Sequence, residues 1–135
     1  YYNIVRSTKL AQSLNTKVDF TTAGIAYLGF AEYGKIMIGD RAFEFFNDTN
    51  VEKNMQFPWA SIKRVEGDVS VSKNGKVKIG RQFIIVFRNE QKVRFAAKES
   101  GTVLKYIRQY IGNEKVVRQK GFFDKFFSLF RRKKK

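Results

Sequence analysis

Apolar and polar residues alternate along much of the chain between residues 17 and 96. Alternation with a period of two is typical of strands that bury one face. It is clear in Lys17–Thr21, Lys35–Ile38 and Arg41–Phe45, and the second and third of these flank Gly39-Asp40. Further along, Asn74-Gly75 is a strong signal for a two-residue hairpin turn. The pattern therefore predicts a succession of antiparallel strands joined by short turns.

The period changes after Phe95. Six apolar or aromatic residues from Val103 to Ile111 fall on one face of an α-helix, since their 100° steps cover about a third of the helical wheel. Ser100 is the predicted N-cap of this helix and Gly112 its predicted stop. The fold class predicted is mainly β (α+β), with one C-terminal helix covering the strands.

One glycine-containing segment has the spacing of a phosphate-binding loop. Gly29 and Gly34-Lys35 match the pattern, but Ile36 occupies the position that requires a Ser or Thr to bind Mg²⁺. An alternating strand follows the segment, so no helix N-terminus is available to an anion. We interpret Tyr33-Gly34 as a turn between two strands.

The amino-acid composition limits which kinds of catalytic and binding chemistry the chain can carry. The chain has 27 Lys plus Arg against 12 Asp plus Glu, a formal charge of +15, and neither Cys nor His. Disulfides, thiol chemistry and histidine bases are therefore excluded, and a reducing cytoplasm fits. Carboxylate pairs such as Asp40 with Glu44 are expected to bind cations or water. We expect a protein that is not an enzyme, with no catalytic residue, no metal site and no cofactor.

The last residues combine aromatic and basic side chains. Placed on a helix, the apolar residues of 122–130 occupy an arc of about 160°, and five consecutive cations follow them. An aromatic helix face beside a polybasic run is typical of reversible binding to an anionic membrane surface. The predicted membrane-binding residues are Phe122, Phe123, Phe126, Phe127, Phe130, Arg131, Arg132, Lys133, Lys134 and Lys135.

Two other partners remain open for this basic chain. The aromatic tail could pack on the protein's own fold or on a sister subunit, which would make a homo-oligomer. The positive charge also suits nucleic acid, and aromatic residues on strands, such as Tyr27, Phe30, Tyr33, Phe43 and Phe45, could stack on bases. No helix-turn-helix, zinc or RNA-platform motif is present in the sequence. Nucleic acid is therefore the less favoured partner.

The order of strands resembles a known kind of small barrel. The succession from Gly34 to Phe45, then Phe57–Val65, Phe83–Phe87 and Val93–Phe95, followed by the helix, is similar to pleckstrin-homology and GRAM domains. That resemblance implies an antiparallel barrel of about seven strands capped by the C-terminal helix. Such domains bind lipids or proteins, and the fold alone does not decide which.

Several strings also resemble the ManO family, whose members are encoded with mannose, fructose and sorbose class sugar phosphotransferase systems. The strings are Gln12–Asp19, Tyr33–Asp40, Ala42–Phe45 and Phe122-Phe123-Asp124. The resemblance implies an accessory or regulatory protein of that transport system, with its membrane subunits as partners. We therefore expect a binding module in the cytoplasm, peripheral at the inner face of the cell membrane, or alternatively a nucleic-acid-binding regulator of the same operon.

The same resemblance suggests how the chain is divided. Family members would begin near Ala11, and Leu10 stands where a start Met would be, which an alternative start codon would explain. We expect residues 1–10 to be a leader or a non-native segment, residues 11–113 to form the pleckstrin-homology-like domain, and residues 114–135 to form the amphipathic tail.

Overall fold

The protein is described by a computed structural model that covers residues 3–4 and 12–118. Within these residues, nine strands form one sheet and a single α-helix follows eight of them in the chain. The strands are β1 (Asn3–Ile4), β2 (Val18–Tyr27), β3 (Ala31–Gly39), β4 (Ala42–Asn47), β5 (Met55–Pro58), β6 (Ile62–Val71), β7 (Val77–Phe87), β8 (Lys92–Ala96) and β9 (Val116–Arg118), and the helix is α1 (Ser100–Ile111).

The strands lie in the order β1-β5-β4-β3-β2-β8-β7-β6-β9, and the sheet is open. All neighbours are antiparallel except β6 and β9, which run parallel. The prediction of a mainly β fold with one C-terminal helix is confirmed. The described sheet has more strands than the seven or so expected, because the very short β1 and β9 lie at its two ends.

Phenylalanine rings form the centre of the core. The Phe43 ring centroid lies 5.1 Å from that of Phe95 and 5.9 Å from that of Phe57, and all three side chains are fully buried. Burying each such side chain contributes about 1.5–3 kcal/mol, and the ring contacts add to it. The predicted apolar face of α1 covers this core through Val103, Leu104, Ile107 and Ile111.

The turn signals account for several element boundaries. Gly75 has a φ of +79° in the turn between β6 and β7, as Asn74-Gly75 predicted. Gly112 has a φ of +96° and ends α1, because a residue without Cβ adopts this conformation without steric cost. The predicted N-cap is wrong by one residue: Glu99 holds that position, and the Ser100 hydroxyl instead donates to the Gly80 carbonyl.

The predicted turn at Tyr33-Gly34 is wrong. Both residues lie inside β3, and the turn between β2 and β3 comes earlier, around Gly29 with its φ of +91°. Gly34 is needed for close packing, since a Cβ there would lie 2.3 Å from the Phe46 carbonyl oxygen. A glycine in a strand interior often marks such a close approach.

Candidate functional site

Glu44 is a fully buried carboxylate in the middle of β4. Its Oε1 accepts hydrogen bonds from the Ser13 hydroxyl and from Asn15 Nδ2, the latter at 2.8 Å. Its Oε2 accepts from the Leu14 amide at 2.8 Å and from Gln56 Nε2 at 2.7 Å. Four donors therefore satisfy both oxygens, and the group ties the segment before β2 to the sheet.

Asp40 fixes the next part of the same segment. Its carboxylate accepts hydrogen bonds from the Thr16 hydroxyl, from the Thr16 amide at 2.9 Å and from the Lys17 amide at 3.0 Å. The Thr16 hydroxyl and the Lys17 amide are the main causes that lower the pKa of Asp40 to about 2. Asp40 and Glu44 thus each bind residues of the 12–17 segment.

Other carboxylates form ion pairs. Glu32 binds Lys53 at 2.8 Å, and this hydrogen bond lowers the pKa of Glu32. Glu66 binds Arg64, also at 2.8 Å. Within residues 12–118 no group of three acidic side chains is placed to hold a metal ion. Glu32 and Glu66 therefore each hold a neighbouring cation.

The single Trp packs against the end of the helix. Its ring stacks on that of Tyr110, with centroids 5.0 Å apart, and Trp59 Nε1 donates to the Gly39 carbonyl at 3.0 Å. The Tyr110 hydroxyl in turn donates a hydrogen bond to Asp19, and this hydrogen bond raises the pKa of Tyr110 to about 12. Trp59 is therefore a packing residue that joins the end of α1 to the end of β3.

Two aromatic side chains within residues 12–118 are strongly exposed. Phe30, in the turn between β2 and β3, is 79% exposed, and Tyr33, near the start of β3, is 63% exposed. We call this pair the aromatic tip. Phe43 and Phe45, also considered as base-stacking residues, are fully buried in the core and are unavailable to any ligand. The structure thus leaves the aromatic tip as a candidate contact surface.

A second exposed surface is the outer part of the β6–β7 hairpin, residues 68–81, which we call the basic hairpin. Val71, Val77 and Ile79 are about half exposed, at 52%, 61% and 49%. Exposed lysines surround the turn of this hairpin at positions 73, 76 and 78. Apolar and cationic side chains therefore share one exposed hairpin.

The last described residue, Arg118, lies beside the basic hairpin. In the parallel pairing of β9 with β6, Val65 lies opposite Val116 and Gly67 lies opposite Arg118. Because the strands are parallel, β9 runs in the direction in which β6 approaches the hairpin turn. The Arg118 guanidinium also donates to the Val69 carbonyl at 2.8 Å. Residue 118 is therefore held at the base of the basic hairpin, and β9 runs toward the hairpin turn.

The aromatic tip lies at the other end of the strands. Tyr27, just before this tip, pairs with Arg94 of β8, and Arg94 pairs with Ile84 near the far end of β7. The turn of the basic hairpin precedes the opposite end of β7, at Val77. The described body thus has one end with exposed aromatic residues and another that is cationic and from which the chain continues.

Comparison with known proteins gives the family. Residues 10–130 match the family described as "Domain of unknown function (DUF956)". The chain belongs to the DUF956 family. No curated protein matches it. The fold of this DUF956 chain is similar to that in "Crystal structure of the C-terminal domain of an unknown protein from Leishmania infantum", with a TM-score of 0.59 and 8% identity, over 70% of this chain and 84% of that one. At this identity the similarity concerns the fold alone.

The predicted membrane-binding residues of the DUF956 chain, Phe122 to Lys135, lie outside the described residues. No helix in the described part is sufficiently long and apolar to cross a membrane. Sequence reasoning did not identify the basic hairpin as a surface, although its alternation of Val and Ile with Lys was visible. Only the burial pattern distinguishes those apolar residues from the core residues farther along β7.

Proposed function

We propose that this DUF956 chain is a non-enzymatic accessory or regulatory module of a mannose-class sugar phosphotransferase system. In this proposal it works in the cytoplasm, peripheral at the inner face of the cell membrane. The tail associates with anionic lipid, and the body binds a protein partner, a membrane subunit of the transporter. The resemblance of residues 12–19 and 33–45 to ManO proteins supports the choice of transport system.

The direction of β9 is the observation that carries the membrane assignment. β9 ends at Arg118, beside the exposed cationic end of the body. The segment that follows carries the aromatic and polybasic residues Phe122 to Lys135. Positive charge of the body and of the tail can therefore face the same anionic surface, where each cation contributes about 1 kcal/mol.

The aromatic tip supplies a surface for the protein partner. Phe30 and Tyr33 are exposed at the end of the strands away from Arg118. Aromatic residues are enriched in the centres of protein interfaces, where they bury large areas with little loss of conformational entropy. A body held at the membrane by its tail would leave this tip accessible to a neighbouring protein.

Co-sedimentation with liposomes tests the membrane assignment. The intact chain and a version ending at Lys120 are mixed with anionic and with neutral liposomes at low and at moderate salt. We expect binding that needs both anionic lipid and the tail, and that weakens as salt screens the charges. Replacing Phe123, Phe126 and Phe127 by Ser should abolish it. Unchanged binding by that triple variant would show that the aromatic residues have no such role.

A pull-down with the transporter's membrane subunits tests the partner. We expect Phe30→Ser combined with Tyr33→Ser to lose the interaction, while the control Val51→Ser, at a side chain that is 38% exposed, keeps it. Sequence-specific binding of DNA or RNA above random competitor at physiological salt would instead favour an operon regulator. Light scattering that shows a dimer only with the tail present would favour self-association.

A further inference from the structure

The basic hairpin has two chemically different faces. Val71 pairs with Val77, and Val69 pairs with Ile79, so these four side chains lie on one face of the two strands. On the other face Ser70 pairs with Lys78. The strands of this hairpin are therefore amphipathic in the sense of a sheet, with alternate positions apolar and polar.

A groove of about 350 Å³ lies at the outer end of this hairpin. Its lining combines two hydroxyls, two lysines and two valines: Ser70, Ser72, Lys76, Lys78, Val71 and Val77. Ammonium and hydroxyl groups bind phosphate oxygens, and the valine methyl groups suit a neighbouring apolar segment. The valines lie on the face opposite Ser70 and Lys78. A bilayer that meets the outer end of the hairpin can therefore present headgroup phosphates to the lysines and acyl chains to the valines.

The positive charge of the basic hairpin favours an anionic partner. Residues 68–81 contain three lysines and Arg81 against the single carboxylate of Asp68. The tail that follows Arg118 ends in five cations, so packing of the tail along this hairpin would bring like charges together. An anionic bilayer attracts both segments at once, which favours lipid over the protein's own tail.

The four residues that follow Gly67, ending at Val71, and the four that follow Arg118, ending at Phe122, are chain segments of equal length. Gly67 lies opposite Arg118, and four residues then lead to Val71 on β6 and to Phe122 in the tail. An extended chain covers about 13 Å in four residues. The first aromatic residue of the tail can therefore reach the same level as the exposed valines of the hairpin.

We propose that the basic hairpin is a second membrane contact, which binds anionic phospholipid through Lys76, Lys78, Val71 and Val77 beside the tail. This inference rests on the proposed membrane association of the tail and adds a defined orientation to it. Because the tail and the basic hairpin lie at the same end of the body, the aromatic tip is directed away from the lipid.

Vesicle binding by the full chain tests the hairpin. The variant Lys76→Gln with Lys78→Gln is compared with a control of equal charge, Lys35→Gln with Lys92→Gln, whose exposed lysines lie on β3 and β8. At low salt each cation near an anionic surface contributes about five-fold in affinity. We expect the hairpin variant to bind vesicles of phosphatidylserine and phosphatidylcholine about 30-fold more weakly than wild type, and the control less than five-fold more weakly.

The two proposals fail in different ways. Equal binding by the hairpin variant and the control would overturn the hairpin contact, even if removal of residues 121–135 abolishes binding and thereby supports the tail. A large effect of the hairpin variant with no effect of tail removal would support the hairpin and overturn the tail assignment. Absence of vesicle binding by the wild-type chain would overturn both.

A fluorescence measurement gives an independent readout. The chain has no Cys, so Asn74→Cys introduces a single labelling site for an environment-sensitive dye at the hairpin turn. The control site is Gln91→Cys, in the turn between β7 and β8. We expect a blue shift at residue 74 with anionic vesicles and none at residue 91. Equal shifts, or a shift only at residue 91, would overturn the proposed orientation.

Discussion

Removing the Glu44 carboxylate should destabilise the protein strongly. The side chain is fully buried and accepts four hydrogen bonds, from Ser13, Leu14, Asn15 and Gln56. Glu44→Ala removes both acceptor oxygens and leaves a space among polar donors. The cost depends on how many of those donors have an alternative partner.

Two of the donors keep another acceptor. Asn15 Nδ2 also donates to the Ala42 carbonyl at 3.1 Å, and Gln56 Nε2 also donates to the Gln12 carbonyl at 2.6 Å. The Leu14 amide donates only to Glu44 among its described hydrogen bonds within residues 12–118. Each lost hydrogen bond costs about 0.5–1.5 kcal/mol, and the partly buried Leu14 amide, left without an acceptor, adds to this. We therefore expect Glu44→Ala to lose about 3–5 kcal/mol.

Thermal and urea unfolding followed by circular dichroism measure this loss. A loss of that size corresponds to a Tm lower by about 10–15 °C for a chain of this length. Glu44→Gln keeps one acceptor oxygen and should lose about half as much, whereas the exposed control Glu52→Gln should stay within about 0.5 kcal/mol of wild type. Hydrogen exchange at the Leu14 amide should become faster in Glu44→Ala. A loss below about 1 kcal/mol, with unchanged exchange, would refute the role assigned to this carboxylate.

Three further predictions concern a carboxylate and two glycines. The Thr16 hydroxyl contributes most to lowering the pKa of Asp40 to about 2 from an ordinary 3.8, so the stability it provides is present above about pH 4 and is lost as pH falls through 2. Asp40→Asn should therefore flatten the decline of Tm between pH 4 and pH 2, and parallel declines would contradict this. Gly34→Ala places a Cβ 2.3 Å from the Phe46 carbonyl oxygen and should cost about 3 kcal/mol in urea unfolding. Gly75→Ala meets no atom within 4 Å and should cost only about 1 kcal/mol, through its φ of +79°; the reverse order of the two glycine variants would refute this comparison.

Much of the fold could be predicted because local signals and tertiary packing agree. Alternation and the Asn74-Gly75 turn predicted β6 and β7, and the apolar face from Val103 to Ile111 predicted α1. Gly34 was misread because a glycine has two uses, a turn or a close approach, and the sequence does not distinguish them. Only the position of the Phe46 carbonyl on the neighbouring strand decides between them.

The surfaces were harder to predict than the strands. Glu44 follows the alternation of β4 and was expected to bind cations or water, yet its partners are neutral groups of residues 13–15 and Gln56. Those contacts are distant in the sequence, so no local pattern records them. Exposure of Val71 and Val77 was equally hidden, because a half-buried strand and an exposed hairpin share the same alternation.

The parallel pairing of β9 has a practical consequence for truncation. A strand at the border of a sheet presents unpaired backbone groups that can recruit another chain and start aggregation. Among residues 12–118, the three residues Val116–Arg118 cover this side of β6, a ten-residue strand. A version shortened before Val116 would uncover that border, and we expect it to self-associate more than a version that ends at Lys120. Variants made to study the tail should therefore retain Arg118.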